Sequence, residues 1–156
     1  MLPELLRRLA CDALEPGEPE ELSQQILSAP EDPEFEWTQG DDAMAMACAL
    51  QDALEEFAAT SDKIDEAHEQ IQDMFEDDFP GFPYEMFEGS RVDSKAYFSW
   101  LNTELAQRAV EEGGYEALIF ETGADDRMTL FVVYRKDVER ILELAAALGM
   151  RIVRPL

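Results

Sequence analysis

Two apolar runs near the C-terminus constrain the fold of this chain more than any other feature. Residues 115–121 (YEALIFE) and 128–134 (MTLFVVY) are rich in aromatic and β-branched side chains, which favour the pleated backbone of a strand. A strand with one face in water alternates apolar with polar residues. These runs are apolar at nearly every position, so both of their faces need cover. The connection between them holds Gly123 and Asp125-Asp126 and reads as a hairpin loop. Asp137 then stands as the cap of a helix with Val138, Ile141, Leu142, Ala145 and Leu148 on one stripe and Gly149 at its end. Residues 150–154 (MRIVR) supply a short last strand. The outcome is a ββαβ unit, a small and mostly antiparallel sheet. Which hairpin strand the last one joins stays open.

The rest of the chain reads as helix. Residues 3–14 and 20–28 are short helical segments separated by Glu15-Pro16-Gly17-Glu18-Pro19; Pro19 suits the first turn of the second, and Pro30 ends it. Residues 29–41 form an acidic, proline-rich loop in which Phe35 and Trp37 are expected to anchor onto the core. Over 42–59, Ala43, Met46, Ala47, Leu50, Leu54, Phe57 and Ala58 recur at helical spacing. Thr60-Ser61 is either the N-cap of a new helix or a polar step within one long helix. Residues 62–77 carry the cleanest amphipathic pattern, with Ile64, Ala67, Ile71, Met74 and Phe75 on one side, before Pro80-Gly81-Phe82-Pro83 stops the helix. Asp93 caps a further helix over 94–112, with Tyr97, Trp100, Leu101, Leu105 and Ala109 facing inward and Gly113-Gly114 ending it. The expected fold is α+β: a helix-rich N-terminal two-thirds packed on a small, mostly antiparallel C-terminal sheet. It forms a single domain over 1–156, with an acidic helical part (1–90) and an α-ββαβ part (91–156). A chain of 156 residues is long enough to bury roughly 70% of the surface that it exposes when unfolded.

Charge is divided as unevenly as secondary structure. Residues 1–90 hold 25 acids and three bases (Arg7, Arg8 and Lys63), whereas 91–156 hold 11 acids and nine bases. The whole chain has a formal net charge of −24. Phosphate contacts need clustered Lys and Arg, so such a surface argues against nucleic acid or an anionic membrane and for a basic protein partner. No run approaches the ~20 apolar residues of a membrane span. Glu4, Arg7 and Arg8 interrupt any signal-peptide core, and Cys11 and Cys48 have neither metal-ligand spacing nor the number for a disulfide framework. A cytoplasmic location with reduced thiols is the expectation.

The acidic side of 62–77 is the strongest candidate site, carrying Asp62, Asp65, Glu66, Glu69, Asp73, Glu76 and Asp77. Like charges three and four apart repel by ~0.2–0.5 kcal/mol per pair, so a helix selected only for stability and solubility would intersperse lysines. The plain alternative is a solvated face that keeps the protein soluble. The segment after it, with Phe82, Tyr84 and Met86 among acids and prolines, reads as a recognition loop, since aromatics and Met make interface anchors. Its plain alternative is that Phe79, Phe82 and Phe87 pin a long connection onto the core.

Other chemistry finds less support. Asp65 and His68 stand one helical turn apart, but a di-iron bundle needs two acid-to-His pairs and this chain has one histidine. His68 at the edge of the apolar stripe reads as a structural, partly buried ring. Neither Asp41-Asp42 nor Asp77-Asp78 has the order of a Ca²⁺ loop. Gly113-Gly114 follows a helix and precedes a strand, the reverse of a phosphate-cradling turn. No cofactor is implied. The late bases Arg127, Arg135, Lys136, Arg140, Arg151 and Arg154 are expected to pair mainly within the molecule.

Small size, a polarised acidic surface and the lack of catalytic motifs make the chain resemble bacterial immunity or antitoxin-type inhibitors, as a class. The resemblance implies a non-enzymatic protein that covers the basic surface of its target. Alternatives are a DNA mimic with carboxylates spaced like phosphates, a small enzyme or metal-binding protein, and a scaffold with no special face.

Overall fold

The computed structural model describes residues 1–76, 79–81, 94–108, 113–124 and 127–155. Among them the helices are α1 (Leu2–Leu9), α2 (Glu18–Leu27), α3 (Asp42–Ala53), α4 (Ile64–Met74), α5 (Ser94–Ala106) and α6 (Val138–Leu148). The strands are β1 (Ala58–Ser61), β2 (Tyr115–Glu121), β3 (Met128–Tyr134) and β4 (Arg151–Val153). The chain is α+β, with an antiparallel four-stranded sheet in the order β1-β3-β2-β4.

The two long runs form the centre of that sheet, and their period-two alternation sends side chains to two separate cores. Leu118 and Phe120 of β2, with Phe131 and Val133 of β3, pack with Leu5, Leu6, Leu50, Ile141 and Leu144 from α1, α3 and α6. Ala117 of β2, with Leu130 and Val132 of β3, packs instead with Ala67 and Ile71 of α4 and with Tyr97, Leu101 and Leu105 of α5. The sheet is therefore covered on both faces, as the apolar runs require. On one side α4 lies on β1 and α5 on β2; on the other, α1 contacts β3, α2 and α6.

The largest departure from the sequence expectation is β1. Ala58-Ala59-Thr60-Ser61 extends the sheet along β3, from Ala58 opposite Phe131 to Ser61 opposite Met128, so α3 ends at Ala53 and no long helix runs through. One strand of the sheet thus comes from the acidic N-terminal part. The last strand joins β2, which places it beside the first hairpin strand. The first helix is shorter than its apolar pattern, because Cys11 and Asp12 adopt left-handed backbone and the Asp12 amide closes back on the Arg7 carbonyl. Asp137 makes no side-chain cap for α6; its buried carboxylate accepts a hydrogen bond from Arg8 instead. Gly149 does end α6, at φ +73°. Gly114 is required for two reasons: its φ is +97°, and a Cβ there would stand 2.6 Å from the Ala106 carbonyl oxygen. The Asp93 cap, Ala109 and the Asp125-Asp126 turn lie outside the described residues.

Candidate functional site

Helix α4 presents its acids because everything on its other side is occupied. Ala67 and Ile71 are fully buried against the sheet, and Ile64, Met74 and Phe75 are half-buried beside them. Gln70 reaches the outer edge of β1. Its side-chain Oε1 accepts the Thr60 amide at 2.8 Å and its Nε2 donates to the Thr60 carbonyl at 2.8 Å. The helix is fixed in rotation by these contacts, which leaves Asp65, Glu66, Glu69 and Asp73 exposed to solvent; Asp62 just before α4 and Glu76 just after it are exposed as well. At the start of this segment the Ser61 hydroxyl accepts the Lys63 amide and donates to Glu66 at 2.8 Å.

No described base pairs with these six acids. The arginines with described ion pairs are engaged elsewhere: Arg7 with Asp12, Arg8 with Glu4 and Asp137, and Arg140 with Glu4 and Glu143. Arg151 pairs with Glu121, and Arg154 with Glu116 and Glu139. The Arg140 guanidinium, and then that of Arg8, hydrogen-bonds the Glu4 carboxylate and holds its pKa at about 2. Of the bases expected to pair internally, Arg140 thus reaches across to the acidic part of the chain, and Arg151 and Arg154 pair within their own part. Asp77, Phe82, Tyr84 and Met86 lie outside the described residues.

His68 is not part of the acidic face. It is buried, with Nδ1 2.8 Å from the Tyr97 hydroxyl and Nε2 2.9 Å from the Pro80 carbonyl oxygen. Phe79, Tyr97 and Trp100 surround the ring at centroid distances of 5.8, 5.6 and 5.5 Å. Both nitrogens have protein partners, which leaves no lone pair for a metal shared with Asp65. Among the described residues no group of three His, Cys, Asp or Glu side chains is arranged to hold an ion. Phe79 is buried, as an anchoring role for it requires, and stacks on Phe75 at 5.2 Å with the Arg108 guanidinium 4.6 Å above the Phe75 ring.

Sequence reasoning missed a second surface. Trp37 does not anchor onto the core; it is 53% exposed, and Phe35 is half-buried. Short 3₁₀ turns at Ala29–Glu31 and Pro33–Thr38 carry both residues along α3, and a groove of about 590 Å³ opens there between α2 and α3. The available signal was weak: an aromatic pair between prolines and acids, which is equally the pattern of a pinned loop. Cys11 and Cys48 are half-buried thiols, and the Cys11 Sγ donates to the Val132 carbonyl oxygen at 3.4 Å. None of the described helices is long and apolar enough to cross a membrane.

Residues 3–156 match the model of a family described as a domain of unknown function, DUF6630, and the chain belongs to that family. No curated protein and no solved structure matches the chain.

Proposed function

We propose that this DUF6630 protein is a cytoplasmic, non-enzymatic binding protein that docks the acidic face of α4 on a basic protein surface, in the manner of an immunity or antitoxin-type inhibitor. One observation carries the reading: four exposed acids share α4 and two more flank its ends, while the described arginines with ion pairs are committed to other carboxylates. Repulsion along that face is unfavourable for the isolated protein and is relieved when a positive surface covers it. Opposed charges also raise the encounter rate and set orientation, and both effects weaken as salt shortens the screening length.

The test is affinity isolation at low ionic strength, with mass spectrometry of the retained proteins and measured association rates. The expected partner is basic, and its association slows by at least about tenfold between low and physiological salt. Changing Glu66, Glu69 and Asp73 together to Lys is expected to abolish binding. An acidic partner, or one indifferent to that triple reversal, would overturn the proposal. Competition by duplex DNA for the same partner surface distinguishes this reading from a DNA mimic.

A further inference from the structure

We propose a second docking surface on the side of the sheet away from α4: the groove along α3 takes a basic, amphipathic segment of a protein partner, with Trp37 as the apolar anchor. It is independent of the reading of α4. The groove has an apolar floor of Ile26, Ala49 and Ala53, and its volume of about 590 Å³ is that of a site for several side chains. It continues past Phe35 into a neighbouring recess of about 210 Å³ lined by Trp37 and Cys48. Glu34, Phe35 and Asp52 belong to both, so the two form one elongated depression.

Two observations define what fits there. Trp37, which lines the second recess, is 53% exposed; with Met1 and Leu27, which line neither, it makes up the exposed large hydrophobic residues among those described. Tryptophan is the side chain most enriched at energetic centres of interfaces, where an indole buries a large area at little cost in rotamer freedom. The rim is anionic. Asp32, Glu34 and Asp52 are all exposed, Glu55 and Glu56 continue the line beyond Asp52, and Arg127 is the one described base lining either recess. An occupant with apolar residues on one face and Lys or Arg beside them satisfies both floor and rim. A neutral or acidic segment leaves the carboxylates desolvated without counter-charges.

The test uses the full chain labelled with 5-fluorotryptophan, which gives one ¹⁹F signal each for Trp37 and Trp100; Trp37→Phe assigns them. The probe is an 18-residue amphipathic helix of Leu and Lys, and the control is a Lys-only peptide of equal charge. The expected result is a saturable shift of the Trp37 signal with the amphipathic probe and none with the control. Trp37→Ala weakens probe binding by at least about tenfold in calorimetry, and Asp52→Lys weakens it as well. The Trp37 shift persists in the α4 triple reversal. A static Trp37 signal, an equal response to the Lys-only peptide, or loss of the shift on reversing α4 would each overturn the proposal. The last of these would leave the α4 reading standing by itself.

Discussion

His68 is held as a neutral ring by two groups of opposite hydrogen-bonding character. The Pro80 carbonyl oxygen only accepts, so Nε2 carries the proton and donates to it; Nδ1 then accepts from the Tyr97 hydroxyl. Burial pushes the His68 pKa below its ordinary value. The folded protein therefore resists a proton that the unfolded chain takes up near pH ~6.5, and stability falls as pH drops through that value. The loss stops once the lower folded-state pKa is passed, and its slope does not exceed about 1.4 kcal/mol per pH unit. Glu4 stays ionised throughout that window, because the Arg140 and Arg8 hydrogen bonds hold it at about 2. Urea unfolding at pH 7.5 and 5.5 is expected to give the lower midpoint at 5.5. His68→Gln is expected to flatten this difference and to destabilise the fold by about 1–3 kcal/mol, since it disturbs two buried partners. An unchanged pH dependence in that variant would assign the titration to other groups. The structural character of His68 was legible from its place at the edge of the α4 stripe. The exposure of Trp37 was not, because composition cannot distinguish an aromatic that closes a core from one that faces water.

At the scale of elements, the pairing of Gln70 with Thr60 adds a two-pronged polar contact to the apolar packing of α4 on the sheet. A primary amide presents a donor and an acceptor side by side, and at Thr60 it occupies the outward amide and carbonyl that a further strand would otherwise use. Gln70→Ala is expected to speed hydrogen exchange at the Thr60 amide by at least about tenfold and to lower stability by about 1–2 kcal/mol. The central strands should keep their protection, since β2 and β3 pair with each other along six residue pairs. Equal exchange at Thr60 in both proteins would show that the amide contributes nothing to the edge. Strands β2 and β3, α6 and the amphipathic α4 were legible because each has a periodicity long enough to recognise. Strand β1 was not: Ala-Ala-Thr-Ser has no strong strand preference, and its partner Thr129 lies 69 residues away from Thr60 in sequence. A non-local partner made it a strand, and the hydrophobic spacing of 42–59 pointed to a helix.

For the whole molecule, a net charge of −24 makes stability a function of ionic strength. Screening relieves the repulsion within α4 and between the acidic elements while loosening exposed pairs such as Arg151 with Glu121. Repulsion is the larger of the two, since acids outnumber bases 36 to 12. The urea midpoint is expected to rise as NaCl goes from near zero to about 0.3 M. The α4 triple reversal should be more stable than the parent at low salt, by about 0.5–1 kcal/mol from the relieved like-charge pairs. A gain in stability together with a loss of binding would separate the use of that face from its contribution to folding. A parent protein whose midpoint falls with salt would reverse this ranking of the two effects.

The borders of the sheet decide how the protein meets other molecules. One is plugged by the Gln70 amide, and the other is a strand of three residues with Arg151 and Arg154 at its ends. Neither offers a ladder on which a foreign strand could build, so stacking of copies edge to edge is disfavoured even though the interior is rich in β-forming sequence. Contact with the outside is left to the helical flanks, where it can be tuned one side chain at a time.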